Sequence, residues 1–352
     1  MFTEIHYPQE IFPEELDHYL AKGWFRMGQT IFTCRLITFS DVLYTTVWLR
    51  LQLDGFQFSK SQRKLIRKNR KNFRVVSRKA IFDKEKEALY KIHRERFSGN
   101  VAKTLRVSLF GDTTFNIYDT YEIAIYDEDQ LVGCSFFDRG EKTLASIMGM
   151  FHPDYSKYSL GYYTMLEEIS YGQRKSYSEY YPGYVVPGYE KFDYKLRVGD
   201  TDYYDEGSNS WLPYKGLDHK TLLSNQLYYQ LATIQVELKA KGIPHQLWLY
   251  PLFDKDLYGY PNEQFLRTPI FLSCFPKSIK KGMLVVMYDH FEKLYHLIYA
   301  MNLEDPVSLL MPSFFKGFDK EKSYLDFLVP RKLIASSEDA ASIAETIERL
   351  LQ

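Results

Sequence analysis

The chain has 352 residues, of which 45% are hydrophobic and 26% are charged. This composition excludes a disordered or low-complexity protein, and the length allows one large or two modest globular domains. No apolar run approaches the ~20 residues that cross a bilayer, and the N-terminus lacks the basic start and apolar core of a signal peptide. We therefore expect a cytoplasmic protein without membrane contact.

The charge is unevenly distributed along the chain. Lys and Arg together number 45, as do Asp and Glu, so the formal net charge is zero. Between Gly55 and Phe82, however, ten basic residues occur without a single acidic one, which leaves a net charge of −10 on the remainder. Such an asymmetry indicates a polyanionic partner.

The first predicted elements are a short helix and two strands. Residues 19–28 read as a helix that ends at a glycine and leads into a strand over 30–34. Leu43–Leu53 is rich in Val, Thr, Tyr and Leu and predicts the next strand.

A basic helix follows these strands. Ser59 with Gln62 three residues later forms a capping box, which predicts a helix from about Lys60 to Asn72. Four basic residues share one face of it and could follow a phosphate backbone: Lys60, Lys64, Arg67 and Lys71. An adjoining strip holds Arg63, Arg70 and Arg74. Surface helices normally mix both signs of charge, so we favour nucleic-acid binding over the alternative of a merely solvated helix.

The stretch Tyr121–Arg197, after a helix that Asp83 is expected to cap over Lys84–Phe97, has the clearest organisation. Two strand signals surround an acidic turn, and the apolar strand Thr143–Phe151 follows. A helix then opens on Ser159-Leu160-Gly161, and another strand leads to Tyr184. Acyl-transfer domains of the GNAT type are assembled from such a meander, strand, helix and strand. We therefore predict an α+β fold, a GNAT-like mixed sheet flanked by helices, with a C-terminal α+β extension.

The ends of these elements supply candidate site residues. At the helix start, Ser159 and Gly161 offer free N–H groups and a dipole that attract an anion or a polarised carbonyl oxygen, although an ordinary helix start needs no function. Gly183 would let the backbone approach a ligand. Tyr184 could stack on a base or donate to an oxyanion.

Three further side chains are candidate site residues, and each also has an ordinary structural explanation. Lys191 and Lys195 lie four residues apart and could share one side of a turn or helix, or simply be solvated. Asp138 ends a strand, where its carboxylate could orient an amine or form a turn pair with Arg139.

Cysteine and histidine patterns indicate no metal. The three cysteines, Cys34, Cys134 and Cys274, are too far apart for a disulfide framework or a local metal knuckle. Cys134 lies in an apolar segment and is expected to be buried. The eight histidines form no metal-like pair, and no Walker loop, dinucleotide fingerprint or Gly-x-Ser-x-Gly motif occurs.

After Trp211 the pattern changes. Leu217–Ala240 predicts a helix, and a final helix runs from about Glu338 to Leu351 with Ser336 or Ser337 as its cap. Four strand-like runs lie between them: Gln246–Phe253, Thr268–Phe275, Met283–Tyr288 and Tyr295–Met301. We therefore divide the chain into 1–214, with the GNAT-like core at about 80–214, and a C-terminal α+β region, 215–352, of unknown role.

In these segments the chain resembles the aminoacyl-tRNA–protein transferase family, the arginyl- and leucyl-transferases of the N-degron pathway. The matching segments follow the family's order over about residues 16–214. They are Gly23–Gly28, Ser59–Lys64, Asp138-Arg139, Ser159–Tyr162, Gly183-Tyr184, Lys191 and Tyr194-Lys195.

The resemblance implies a GNAT-like domain that moves an amino acid, arginine by preference, from its tRNA to the N-terminal amine of proteins beginning with Asp or Glu. It implies a tRNA-binding set of Lys60, Gln62, Arg63, Lys64, Arg67 and Lys71. The implied catalytic set is Asp138, Tyr184, Lys191, Tyr194 and Lys195. Ser159, Gly161 and Gly183 would receive the oxyanion or the 3′ end of the tRNA.

The chain departs from the family in three places. The N-terminal cysteine cluster that binds a metal or an iron–sulfur centre in many members is missing, Tyr189 replaces a cysteine, and Val185 replaces an aromatic residue. We expect no cofactor and no metal, with aminoacyl-tRNA as co-substrate. Two alternatives stay open: a coenzyme-A-dependent GNAT N-acyltransferase, which normally has a second glycine before the helix, and a non-catalytic tRNA- or peptide-binding relative.

Overall fold

The computed structural model describes residues 2–96, 102–258, 264–274, 282–303 and 317–351. The chain divides into two compact units that are not consecutive in sequence. The central unit comprises Ile5–Thr33 and Thr46–Leu217, and the C-terminal unit comprises Met1–Glu4, Cys34–Thr45 and Asp218–Gln352. The sequence predicts a boundary near residue 214 but does not indicate that Cys34–Thr45 belongs with the C-terminal residues. A division of roles between 1–214 and 215–352 stays a prediction.

The elements up to residue 217 are, in chain order, β1 (Thr3–His6), α1 (Pro13–Ala21), β2 (Phe25–Met27), β3 (Thr30–Cys34), β4 (Leu36–Phe39), β5 (Val42–Thr45), β6 (Val47–Gln52), α2 (Lys60–Asn72), β7 (Arg74–Lys79), α3 (Lys84–Arg94), α4 (Leu105–Phe110), β8 (Thr120–Asp127), β9 (Gln130–Arg139), β10 (Thr143–Phe151), α5 (Leu160–Arg174), β11 (Glu179–Val185), β12 (Asp202–Asp205) and β13 (Ser210–Pro213). A 3₁₀ segment, Glu190–Val198, lies between β11 and β12.

The central unit is built on an eight-stranded sheet in the order β13-β12-β6-β11-β10-β9-β8-β7. Its neighbouring strands are antiparallel except for β10 and β11, which run parallel. Helix α5 connects these two strands, as a parallel connection requires. Because α5 is buried from Tyr162 to Gly172, its apolar side chains form a core with residues of the sheet such as Val132 and Leu144. The predicted α+β architecture, a mixed sheet flanked by helices, is confirmed.

Strands β10 and β11 pair over three residues only, from Thr143 with Glu179 to Ala145 with Tyr181. Each strand is then distorted against its other neighbour: β10 has a register shift after Ser146, and β11 has one before Gly183. Beyond the paired residues, the C-terminal ends of the two strands are not hydrogen-bonded to each other in the described structure. We call the region between these ends the cleft.

The prediction of one continuous strand over Leu43–Leu53 is wrong. The structure has two strands there, β5 and β6, and the break at Thr46 is also where the chain passes from one compact unit to the other. Strand propensity cannot distinguish one strand from two that belong to different cores.

The remaining elements are α6 (Leu223–Ala240), β14 (His245–Leu249), β15 (Ile270–Cys274), β16 (Met283–Asp289), β17 (Leu294–Leu303), β18 (Phe327–Ser337) and α7 (Ala340–Leu351). The five strands form an antiparallel sheet in chain order. The four predicted strands are present, but the first, predicted over Gln246–Phe253, ends at Leu249, and a 3₁₀ segment begins at Pro251. Strand β18 was missed because Pro330, Arg331 and Lys332 interrupt its apolar pattern.

The cap of α7 is Asp339, whose carboxylate accepts from the backbone N–H groups of Ala341 and Ser342, so the predicted serine cap is wrong. Phe97 and Phe275, the ends of a predicted helix and strand, lie outside the described residues. Within the described ranges, we find no helix with the length and apolarity needed to cross a membrane.

Candidate active site

The segment Glu190–Val198 lies against β11 and α5 and is attached to β11 by Lys195. We call this segment the wall of the cleft. The Lys195 ammonium donates a hydrogen bond to the carbonyl oxygen of Tyr184 at 2.8 Å and lies 5.2 Å from the centre of the Phe192 ring. Burial lowers the pKa of Lys195 to about 8. Gly183 has a positive φ of 90°, and a Cβ atom there would lie 3.1 Å from Lys195 Nζ, so glycine makes room for this ammonium group.

The ring of Tyr184 is held in place by aromatic neighbours. It packs edge-to-face against Trp48 with the ring centres 5.0 Å apart, and 5.3 Å from the ring of Phe192. Such aromatic pairs favour particular ring orientations and contribute more stability than the buried area alone would give. The side chain is half-buried, so part of it is accessible from solvent.

Lys191 and Lys195 do not share one side of the segment, contrary to the prediction. Lys191 is exposed, with its ammonium 5.6 Å from the ring of Tyr189, while the Lys195 ammonium points inward. The two residues lie on a 3₁₀ segment, in which positions four apart do not fall on the same face.

Asp138 is committed to an internal ion pair. Its carboxylate is fully buried and accepts hydrogen bonds from Arg26 Nη1 at 2.9 Å and from Thr120 Oγ1 at 2.6 Å. Burial raises the pKa of Asp138, and the charge of Arg26 opposes this rise. The geometry does not fit the predicted contact with an incoming ammonium ion. Arg139 pairs with Asp119 and stacks on Tyr121, so the alternative of an Asp138–Arg139 turn pair is also wrong.

The basic helix has the bounds that the sequence predicts. The Ser59 side chain accepts from the Gln62 backbone N–H at 3.3 Å, and the Gln62 side chain accepts from the Ser59 N–H at 2.8 Å, which confirms the capping box. Five of its predicted tRNA-binding residues are exposed: Lys60, Arg63, Lys64, Arg67 and Lys71. Arg70 instead makes a bidentate pair with Glu167, at 2.9 and 2.7 Å.

Gln62 is the exception within the predicted tRNA-binding set. It is only 6% exposed, and its Nε2 donates to Tyr162 Oη at 2.9 Å, Val198 O at 2.9 Å and Arg197 O at 3.0 Å. Its assignment as a tRNA contact is therefore corrected, because the side chain is used to join α2 to α5 and to the segment Glu190–Val198.

The start of α5 lies beside the C-terminal end of β10. Ser159 is exposed with a positive φ of 53°, and its side chain makes no capping hydrogen bond. A Cβ atom on Gly161 would lie 3.2 Å from the ring of Phe151, so close packing against β10 explains this glycine. The first-turn N–H groups of α5 are thus at the end of the sheet where the cleft opens.

A buried carboxylate that the sequence analysis missed lies below the cleft. Glu168 of α5 is 0% exposed, and its Oε2 accepts from Tyr180 Oη at 2.8 Å. Burial raises the pKa of Glu168 to about 7, and the hydroxyl groups of Ser135, Tyr180 and Ser146 partly offset this rise. The available sequence signal was the acidic pair Glu167-Glu168 on a largely apolar helix.

The charge of this carboxylate also acts on Tyr194 of the segment Glu190–Val198. Its side chain is 43% exposed. Burial of the phenol and the nearby charge of Glu168 raise the pKa of Tyr194.

The three cysteines are buried and form no disulfide. Cys134 is fully buried, as predicted, and burial raises the pKa of its thiol well above the ordinary value.

Known proteins resemble this chain over the central region. Residues 79–205 match the family model described as arginine-tRNA-protein transferase, C terminus. The aspartate/glutamate leucyltransferase of Campylobacter jejuni (strain RM1221) is 31% identical over 191 residues, which cover 52% of this chain and 77% of that protein. The protein of the same name from Leptospira interrogans serovar Lai is 25% identical over 194 residues, covering 54% and 74%.

Among solved structures, a tandem GNAT protein from the clavulanic acid biosynthesis pathway aligns with a TM-score of 0.29 and 11% identity, covering 53% of this chain and 55% of that one. The similarity to the leucyltransferases confirms what the sequence segments indicated: the chain belongs to the aminoacyl-tRNA–protein transferase family and is an aminoacyltransferase.

Proposed function

We propose that the protein transfers leucine from leucyl-tRNA to the N-terminal α-amine of proteins that begin with Asp or Glu, and that the reaction takes place in the cleft. One observation carries the location. Gln62 joins the exposed basic helix to the segment that brings Lys195 into the cleft, so a polyanion bound on α2 would be held at a fixed position relative to the cleft.

The names of the relatives support the choice of amino acid and acceptor. They are called aspartate/glutamate leucyltransferases, whereas the sequence analysis prefers arginine. We therefore propose leucine, and arginine becomes an outcome of the test.

The tRNA would bind on the exposed face of α2. Lys60, Lys64, Arg67 and Lys71 present a row of charges without acidic neighbours on the same helix, and Arg63 extends it. Phosphate contacts of this kind supply affinity and position without reading sequence.

The chemistry needs alignment more than activation. An aminoacyl ester is already reactive, so holding the amine against the carbonyl carbon supplies much of the rate. The protonated Lys195 ammonium and the backbone N–H groups near Ser159 and Gly161 would stabilise the developing oxyanion. Tyr184 would pack against the terminal adenosine, and exposed Lys191 would meet the acidic side chain of the acceptor.

We further propose that no cofactor takes part besides aminoacyl-tRNA. The support is the absence from the sequence of the family's N-terminal cysteine cluster. A cytoplasmic location stays a prediction.

The test is a transfer assay with matched donors and acceptors. Purified protein is incubated with tRNA charged with labelled leucine, arginine or phenylalanine, or with labelled acetyl-coenzyme A, and with peptides that begin with Asp, Glu, Lys or Arg. Leucine on Asp and Glu peptides alone is the expected product. Arginine on the same peptides would overturn the amino-acid assignment, acetyl transfer from acetyl-coenzyme A would favour the acyltransferase alternative, and tRNA binding without product would favour the non-catalytic one.

A further inference from the structure

Glu168 is the centre of a polar cluster to which three strands contribute. The hydroxyl groups that face its carboxylate are those of Ser135 on β9, Ser146 on β10 and Tyr180 on β11. No Lys, Arg or His is among the groups that face it in the described part of the chain. Burying a carboxylate among hydroxyl groups without a cation costs free energy. A group that is kept in spite of this cost is a candidate for a functional role.

One oxygen of this carboxylate is not engaged. Oε2 is held by Tyr180, whereas Oε1 has no hydrogen-bond partner of standard geometry within the described structure. Buried acceptors are normally satisfied, so Oε1 is the oxygen left open to a proton from the hydroxyl groups of Ser135 and Ser146, which act on this carboxylate.

Among the residues whose hydroxyl groups face Glu168, Ser146 is the one at the start of the cleft. It is the first residue of β10 beyond the segment paired with β11, and it is half-buried, whereas Glu168 is fully buried. Its hydroxyl group faces both Glu168 and Tyr180. A hydroxyl group can accept a proton on one side while it donates its own on the other.

We propose that Glu168, acting through the Ser146 hydroxyl group, takes up the proton that the attacking α-amine loses and returns it to the ribose oxygen of the departing tRNA. This inference rests on the proposed function. Ser146 is the group that contacts the reacting atoms. Glu168 does not contact them and acts through the Ser146 hydroxyl group, so it is a positioning residue.

The step balances. The neutral amine nitrogen attacks the ester carbonyl carbon, and a C–N bond forms. The excess proton on nitrogen moves to Ser146 Oγ while the Ser146 proton moves to Glu168 Oε1. The C–O bond to the ribose then breaks, and the proton returns along the same path to the ribose oxygen. The products are an amide and a tRNA with a free hydroxyl group, and Glu168 is again a carboxylate.

The test is the pH dependence of transfer by wild type and Glu168→Gln, with rates expressed per neutral acceptor amine so that the acceptor's own ionisation cancels. Gln keeps an acceptor for Tyr180, so the variant is expected to fold. We expect the wild-type rate to fall below pH 7, because the Glu168 carboxyl group, whose pKa burial raises to about 7, is then protonated and cannot accept a proton. The variant should lose about 10²–10⁴-fold in rate and show no such fall. Tyr180→Phe keeps the carboxylate and should keep the fall.

A second variant covers the case in which Glu168→Gln does not fold. Ser146→Ala removes only a half-buried hydroxyl group and should lower the rate at least tenfold, as loss of a proton-transfer group does, with an unchanged melting temperature. A wild-type rate and pH profile in either variant would overturn the role of Glu168. No transfer by the wild type would instead refute the proposed function, and this step with it.

Discussion

Gln62 Nε2 lies 2.9 Å from Tyr162 Oη and donates a hydrogen bond to it. Tyr162 Oη donates in turn to the carbonyl oxygen of Arg197 at 2.6 Å. A residue that was predicted to contact tRNA is therefore the buried link between the basic helix, α5 and the wall of the cleft.

Gln62→Leu should lower the free energy of unfolding by about 1–3 kcal/mol, because it leaves the buried carbonyl oxygen of Val198 without its Gln62 donor. It should also lower the transfer rate, since α2 and the segment Glu190–Val198 lose their connection. Urea unfolding and transfer kinetics measure the two effects. Ser61→Ala, exposed on the same helix, is the control and should change neither; a stable and fully active Gln62→Leu protein would contradict the link.

Replacing Lys64, Arg67 and Lys71 together by Ala should weaken tRNA binding and reduce the slope of log K against log salt by about 2–3, since each lost phosphate contact contributes roughly 0.7–0.9. Binding is measured across a range of salt concentrations. The matched control replaces Lys22, Arg174 and Lys175, which are exposed and outside α2. Equal slopes for the two triple variants would mean that α2 is a solvated surface helix that does not bind tRNA.

Lys191→Glu should lower kcat/KM for Asp and Glu peptides by roughly tenfold or more, because like charges then meet at the acceptor side chain. Lys191→Arg should retain most of the activity. Lys175→Glu makes the same charge change at an exposed position at the end of α5 and controls for net charge. Unchanged kinetics with acidic peptides would remove Lys191 from the acceptor site.

Glu168 makes a prediction about stability against pH. Its pKa is about 7 in the folded protein against an ordinary 4.5, so between these values the folded state holds a proton that the unfolded chain has released. Stability therefore falls as the pH rises from about 4.5 to 7. Glu168→Gln removes this loss and should raise the free energy of unfolding at pH 8 by on the order of 3 kcal/mol, with no gain at pH 4. If the free energy of unfolding depended on pH in the same way in both proteins, burial would not raise the pKa of Glu168.

Prolonged dialysis against a chelator should leave the transfer rate unchanged if aminoacyl-tRNA is the only co-substrate. The rate is measured before and after dialysis, and again after divalent ions are added back. A loss that added metal restores would overturn the proposal that no cofactor takes part.

The parts of the fold that depend on local sequence were predictable. The capping box at Ser59 fixed the start of α2, and the turn and strand signals of Tyr121–Arg197 gave the meander and the parallel connection through α5. The C-terminal strands followed from their apolar runs in the same way, except for β18.

The parts that depend on distant contacts were not predictable. Arg26 and Asp138 are 112 residues apart, so no spacing rule indicated their ion pair. The pKa of Glu168 is set by burial among residues of several strands, and the inward direction of Lys195 depends on where β11 ends. A sequence pattern names such residues as candidates but does not tell which of them are already satisfied inside the protein.

The most direct test of the central claim is intact-mass analysis of an Asp- or Glu-starting acceptor protein after incubation with the enzyme and leucyl-tRNA. We predict the addition of one leucine residue at the N-terminus, dependent on charged tRNA and abolished when the α-amine is acetylated. An unmodified acceptor in the presence of folded, tRNA-binding enzyme would contradict the account.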